Sequence, residues 1–304
     1  MPDTGIIVVT YNSAGHIGAC LDAALETGAE IVVVDNASSD STVAEVKQRP
    51  VRLIANQENR GFAAAANQAF VVLNSQYVLL LNPDAILRST LDPLREACDL
   101  PQSAGAGGRL VDANGRPQTG FMVRALPTPA ALILEALVLN RVWPENPVNR
   151  RYRCLHQDLS IRCEVEQPAG AFLMVRRAVW EELGGLDERY FPLWFEDVDF
   201  CRRLQDRGFR LYYVPEAVAI HTGGHSIGQL GVEMRAVYWY RSLLRYSSKH
   251  FGRGAFRAVC LSVVTGSVFR SIAVSVWQRS LRPFAAYVKV AWLAGRGLMF
   301  GSLD

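Results

Sequence analysis

A chain of 304 residues that is 50% hydrophobic can bury one large α/β core or two ordinary ones, which excludes a disordered protein. The net charge of +3 calls for no nucleic-acid partner, so any basic surface must be local. Six cysteines, Cys20, Cys98, Cys154, Cys163, Cys201 and Cys260, lie scattered without a CxxC pair, which argues for free thiols in a reducing compartment and against a disulfide frame or zinc site. Strand-like sequence begins at Gly5-Ile6-Ile7-Val8-Val9 with no basic and apolar leader, so no secretory signal is expected.

From residue 5 to 100, β-branched runs at 6–10, 31–35, 51–56 and 78–81 alternate with helical patterns at 16–26, 41–48 and 62–74. Runs that are apolar throughout, separated by helices, predict a mainly parallel sheet covered on both faces. Ligands of such sheets sit at the carboxyl ends of the strands. Polar residues gather at those ends: Thr10-Tyr11-Asn12, Asp35-Asn36 and Asn82-Pro83-Asp84. The last group follows Tyr77-Val78-Leu79-Leu80-Leu81, and Pro83 cannot donate to a ladder, so pairing should stop there and Asp84 should project toward a cation or a phosphate.

Residues 101–165 carry a weaker signal, with a turn at Asn114-Gly115 and an apolar patch at 130–142 that suits a helix. A strand is expected over 167–175 and a helix over 177–183 that Gly184-Gly185 ends. The clearest helix covers 197–207: Asp197 and Asp199 lie in its first turn, Phe200, Cys201 and Leu204 form one stripe, and Arg202, Arg203 and Arg207 follow. Another strand is expected at 211–214, with His221 and His225 shortly after it. Either imidazole could complete a metal site, but Gly223-Gly224 between them disfavours a helical zinc pair.

Beyond residue 233, long helical patterns interleave aromatics with Arg or Lys, and no acid occurs between Arg253 and Arg296. The longest uncharged stretch, 258–269, falls short of the roughly 20 apolar residues that span a bilayer. A basic amphipathic region is therefore expected to lie on an anionic membrane surface, the plainer reading being a packed helical appendage or a contact between copies of the chain.

Two acidic centres are candidates for chemistry. Asp84, with a histidine, would suffice for a hard divalent cation that shares its sphere with phosphate and water. Asp197, at a helix start, could act as a general base, although first-turn acids are common for structural reasons alone. Arg60-Gly61 opens the 62–74 helix with a guanidinium and a close-approach glycine suited to a diphosphate or base. No GxGxxG follows the first strand, and no GxxxxGK[ST] occurs anywhere.

Taken in order, Val9-Thr10-Tyr11-Asn12-Ser13, Val34-Asp35-Asn36-Ala37-Ser38-Ser39-Asp40, Asn59-Arg60-Gly61-Phe62-Ala63, Asn67, Leu81-Asn82-Pro83-Asp84, Gly170-Ala171-Phe172-Leu173, Gly184-Gly185-Leu186-Asp187-Glu188 and Glu196-Asp197-Val198-Asp199-Phe200 resemble family 2 inverting glycosyltransferases, most closely rhamnosyltransferase-like members. The resemblance covers residues 5–230. It implies a GT-A fold over 1–232, with a nucleotide-sugar-binding half (1–100) and an acceptor-binding half (101–232), followed by the helical region 233–304. It further implies that Thr10, Tyr11 and Asn12 line the pyrimidine pocket, that Asp35 and Asn36 hold base or ribose, and that Arg60, Gly61 and Asn67 flank the nucleotide. Asn82, Gly170, Ala171 and Glu196 complete the substrate-binding set, Asp84 and His221 hold Mg²⁺ or Mn²⁺, and Asp197 is the base.

Many members carry Asp-x-Asp where this chain has Asn82-Pro83-Asp84, a form seen in the rhamnosyltransferase-like branch. The implied activity is transfer of a sugar, L-rhamnose from dTDP-rhamnose as the best expectation, to a lipid-linked or polysaccharide hydroxyl in cell-surface glycan synthesis. The enzyme would be peripheral on the cytoplasmic face of a bacterial membrane. The alternatives are a nucleotidyltransferase and a non-catalytic nucleotide-binding protein at a membrane surface.

Overall fold

The computed structural model of the chain describes residues 3–223, 231–280 and 282–302. His225 lies outside the described residues. The chain divides into two compact units, one made of residues 1–126, 153–192 and 196–226, the other of 127–152, 193–195 and 227–304. The second thus takes in an internal segment, 127–152, that the sequence reading put in the acceptor half.

The first unit opens with β1 (Thr4–Thr10), α1 (Ala14–Leu25), β2 (Glu30–Asp35), α2 (Thr42–Lys47), β3 (Arg52–Ala55), α3 (Phe62–Val72) and β4 (Tyr77–Leu81). Strands β1 and β4 are buried at every position, as continuous apolar runs covered on both faces should be. There follow β5 (Ala85–Leu87), α4 (Asp92–Cys98), β6 (Ser103–Val111) and β7 (Val123–Arg124). The second unit interposes α5 (Pro129–Ala136), α6 (Leu139–Val142) and α7 (Pro147–Tyr152). The first then resumes with β8 (Cys163–Val165), β9 (Gln167–Pro168), β10 (Phe172–Arg176), α8 (Arg177–Leu183), α9 (Glu196–Asp206) and β11 (Arg210–His221).

The main sheet runs β3-β2-β1-β4-β10-β6-β11-β5, with β8 also on β11. As expected, the sheet is mainly parallel: β3, β2, β1, β4, β6 and β11 run in one direction. β1, β2, β3 and β4 pair in parallel, but β10 enters antiparallel between β4 and β6, and β5 and β8 pair antiparallel to β11. Room for β10 comes from β6: a Cβ on Gly105 would stand 2.2 Å from the Met174 carbonyl oxygen, and one on Gly108 would stand 2.1 Å from the Phe172 ring. A side chain at either position would push β10 away.

Three expectations change. Residues 167–175 are not one strand: Pro168 has no N–H, and Gly170 turns the chain between β9, which pairs with β7, and β10. The strand expected at 211–214 continues, past a register shift between Val214 and Val218, to His221, so the histidine is a strand residue rather than a loop residue. The 130–142 patch is two helices, because Val138 sits at φ 65° and breaks the run. As expected, Gly184 at φ 71° ends α8. All six cysteines are free.

The second unit continues with α10 (Val232–His250), α11 (Arg253–Gln278) and α12 (Arg282–Phe300). Small residues bring its helices together: a Cβ on Gly266 would lie 2.0 Å from the Ala136 carbonyl oxygen, and one on Gly297 would lie 2.9 Å from Cys260 Sγ. Arg270 donates to the carbonyls of Glu135 (2.8 Å) and Ala136 (2.9 Å), capping the orphan end of α5. At least one basic residue of the tail is therefore a packing element. The sequence estimate of the apolar run was also too short. Arg253–Val276 is long and apolar enough, by length and composition only, to cross a membrane, with mean hydropathy 1.8 and 39% of its apolar window buried in the protein. Arg257 and Arg270 interrupt the run in sequence without ending α11.

Candidate active site

The carboxyl ends of β1 and β2 form one wall of the site, because Thr10 and Asp35 are register partners. Thr10 is buried, and its Oγ1 has no hydrogen-bond partner among the described residues. Asp35 accepts from Ser38 through both backbone N–H (2.9 Å) and hydroxyl, and Ser38 Oγ accepts from Asn12 N–H at 2.8 Å. Asn12, in the left-handed region at φ 48°, takes Ser39 N–H on its Oδ1 at 2.7 Å. The preceding Tyr11 is half-buried.

Asn36 ties this wall to the start of α3. Its Nδ2 donates to Gly61 O at 3.1 Å, while its Oδ1 accepts from Asn56 at 3.1 Å and from Arg60 N–H at 3.4 Å. Gly61 has to be glycine: φ is 83°, and a Cβ would lie 2.9 Å from the Phe191 ring. The Arg60 side chain is exposed. Asn67 stands apart from this group, its amide committed to Leu186 in both directions (2.9 Å each) and to Glu188 (3.0 Å).

The second centre lies where β4 ends. Asn82 N–H donates to Ala171 O at 3.0 Å, Pro83 turns the chain, and buried Asp84 is gripped by the end of β11: Gly223 N–H donates to Oδ2 at 2.9 Å and Thr222 N–H to the Asp84 carbonyl at 3.3 Å. His221 Nε2 stands 3.5 Å from Asp84 Oδ1 and 3.3 Å from Asn82 Nδ2. Burial pushes the imidazole below its ordinary pKa, with the Asp84 charge opposing, so the ring is neutral near neutral pH. One hard carboxylate oxygen beside one neutral imidazole nitrogen fits a divalent cation that takes its remaining ligands from phosphate and water. Among the described residues no group of three or more His, Cys, Asp or Glu could hold a metal, so Asp84 and His221 stand there as a pair.

The third centre is the start of α9. Asp197 is half-buried and accepts from Val198 N–H on Oδ1 (2.8 Å), and from Gly170 N–H (3.0 Å) and Gln167 Nε2 (3.3 Å) on Oδ2. Burial pushes its carboxyl up, while those N–H groups and the charge of Arg124 pull it back. Glu196 is held well above the usual carboxylate range, by burial first and by the Asp197 charge second, and its Oε2 has no partner among the described residues. Asp199 is instead a structural acid. It binds Arg203 at 2.8 Å and Tyr190 at 3.2 Å, and Arg203 goes on to the carbonyls of Leu183 and Gly185.

Two pieces of chain join the second and third centres. Gly170 holds Asp197 while Ala171 holds Asn82. Residues 118–124 do the same from the other side. Gln118 Oε1 lies 2.9 Å from His221 Nδ1, Phe121 stacks on that imidazole at 5.3 Å, and Arg124 pairs with Gln167 in the β7–β9 ladder. Gln118, Phe121, Arg124 and Gln167 were absent from the sequence-based candidates, for they lie in or beside the weakly patterned stretch. The site thus assembles hydroxyl and amide groups at the ends of β1 and β2, a carboxylate–imidazole pair of a kind that suits a cation, and the carboxylate of Asp197.

The glycosyl transferase family 2 model matches residues 5–184, and the glycosyl transferase family group 2 model matches 148–298. The chain is 31% identical over 266 residues to an N-acetylglucosaminyl-diphospho-decaprenol L-rhamnosyltransferase of Mycobacterium tuberculosis, covering 81% of this chain and 85% of that protein. It is 26% identical over 178 residues to the rhamnosyltransferase WbbL of Escherichia coli, covering 58% and 63%. Its fold matches the mannosyltransferase PcManGT of Pyrobaculum calidifontis, solved with GDP-Man and Mn²⁺, at a TM-score of 0.55 and 17% identity, over 99% of this chain and 88% of that one. The fold is GT-A, and the chain belongs to glycosyltransferase family 2.

Proposed function

We propose that the protein is an inverting, divalent-cation-dependent rhamnosyltransferase that moves L-rhamnose from dTDP-rhamnose to a hydroxyl of a lipid-linked or polysaccharide acceptor during cell-surface glycan assembly. The observation that carries the reading is the joining, through Gly170-Ala171, of the Asp84–His221 pair to a carboxylate, Asp197, at the start of a helix. Inversion follows from a single in-line displacement. The acceptor oxygen attacks the anomeric carbon, its proton passes to Asp197, the bond to the diphosphate breaks, and the nucleoside diphosphate leaves with the electron pair.

The two oxygens of Asp197 have different tasks. Among the described residues Oδ2 accepts two N–H groups and Oδ1 accepts that of Val198, so Oδ1 is the atom that takes the proton. Bound at Asp84 Oδ1 and His221 Nε2, Mg²⁺ or Mn²⁺ would neutralise the charge that gathers on the leaving diphosphate. Thr10, Tyr11, Asn12, Asp35 and Asn36 orient the nucleotide, Arg60 and Gly61 flank it, and Asn82 meets the ribose or a metal-bound water. Two features support the sugar and acceptor: Asn82 stands where many relatives have an acid, and the mycobacterial relative acts, by its name, on a decaprenyl-diphosphate glycan. The exposed apolar residues of α11 and α12, with Arg253, Arg257, Arg279, Lys289 and Arg296 among them, support peripheral attachment to the anionic inner face of the membrane.

A panel of dTDP-, UDP- and GDP-sugars, screened for thermal stabilisation with Mn²⁺, tests the donor. A ligand at 100 times its Kd adds about 2.7 kcal/mol, so the cognate donor should stand out. Stabilisation by dTDP-rhamnose above all others is expected. A UDP- or GDP-sugar in its place overturns the rhamnose assignment, and no shift with any nucleotide sugar overturns the enzyme reading.

A further inference from the structure

Gln118 takes hold of His221 twice. Its Nε2 donates to the His221 backbone carbonyl at 2.7 Å, and its Oε1 lies 2.9 Å from Nδ1 of the ring. With the amide nitrogen used on the carbonyl, the atom that faces the ring is oxygen, which can only accept. Nδ1 therefore carries the ring proton, and Nε2 turns its lone pair toward Asp84 and Asn82. An unconstrained neutral histidine favours the opposite tautomer, with its proton on Nε2, in which that nitrogen cannot bind a cation.

The grip on the ring is itself fixed. The hairpin at 112–117 returns the chain to β6, where Gln118 N–H donates to Leu110 O at 2.9 Å, and Leu110 is the register partner of Ala219, two residues before His221. The carbonyl of Gln118 accepts the N–H groups of Phe121 (3.0 Å) and Met122 (3.1 Å). Phe121 lies within 10° of parallel to the imidazole, so the ring is held on its edge by Gln118 and on its face by Phe121.

We propose that Gln118 is the positioning residue that locks His221 as the Nδ1–H tautomer and thereby sets the affinity of the Asp84–His221 pair for a divalent cation. The proposal rests on the metal role given above to those two residues. An amide is a neutral partner, unlike the carboxylates that often back metal-binding histidines. It fixes the tautomer without adding a charge behind the ring, which leaves the cation's charge to Asp84 and the diphosphate.

The test uses the full chain without donor. Long-range ¹H–¹⁵N spectra of the metal-free protein report which imidazole nitrogen is protonated, the His221 signal being identified by its loss in His221→Ala. Electron paramagnetic resonance of free Mn²⁺ gives the affinity. The wild type should show Nδ1–H. Gln118→Leu should shift the proton to Nε2 and weaken Mn²⁺ binding by about tenfold or more. Gln118→Glu keeps an oxygen opposite Nδ1 and should restore both readouts. A wild-type ring protonated on Nε2 overturns the proposal with no variant needed, as does Gln118→Leu with unchanged tautomer and affinity. Wild-type protein that binds no Mn²⁺ overturns instead the metal reading on which the proposal stands.

Discussion

The two acids proposed to work in this site are held in opposite ways. Asp84 follows a fully buried strand and is gripped from one side by Thr222 and Gly223, just past β11, which leaves Oδ1 beside an imidazole. Asp197 opens a helix and is wrapped by three N–H donors from α9, from β9 and from the turn before β10. The first arrangement suits a group that shares a cation with a ligand. The second suits one that must stay in place while it gains a proton, since N–H groups already aimed at the carboxylate need not reorganise. The same side chain thus meets unlike surroundings, set by the backbone around it.

The largest effect that can break this contrast comes from removing each charge in turn. Asp197→Asn should lower the initial rate of transfer by at least about 10²–10⁴-fold and leave donor binding intact, whereas Asp84→Ala should abolish the Mn²⁺ dependence of donor affinity in calorimetric titration. If both variants lose binding alike, the division of labour is wrong. A smaller effect is expected at Gly170→Ala. The new Cβ would stand 3.0 Å from Asp197 Cβ and 3.2 Å from Oδ2, so the base must shift by a few tenths of an ångström. A fall in kcat of about tenfold with KM for donor unchanged is expected, given that an error of about 1 Å can cost about 100-fold.

The smallest effect is one of stability and concerns Glu196. Its folded pKa lies above the ordinary value of 4.5, so between the two values the native state holds the extra proton and stability falls as pH rises. Glu196→Gln should therefore melt like the wild type in acid and higher than it at neutral pH. Melting curves across pH that stay parallel would place the carboxyl in a solvated setting.

Much of this frame was legible in advance, for a physical reason. Strands buried on both faces, such as β1 and β4, announce themselves as apolar runs, and the polar residues that follow them mark the ligand edge. Long-range pairing leaves no such trace. The antiparallel entry of β10 depends on glycines in β6 some 65 residues earlier, and the break at Gly170 is fixed by Asp197, 27 residues later. Gln118 meets its histidine across 103 residues of chain, from a stretch with no periodicity to advertise it. Asn67 shows the converse: its place in a motif is plain, yet its amide is committed to the loop at Leu186 and Glu188.

Residues 118–124 carry a consequence for how such an enzyme can change. A stretch of seven residues bears on the imidazole at one end and on the surroundings of the base at the other. Substitutions within it should therefore be non-additive with changes at either acid, by about 0.5–3 kcal/mol in double-mutant cycles, as neighbours in one network usually are. A new donor preference acquired on the cation side would then disturb the base side through this common wall. Variation in specificity should be found more readily at the β1 and β2 ends of the site.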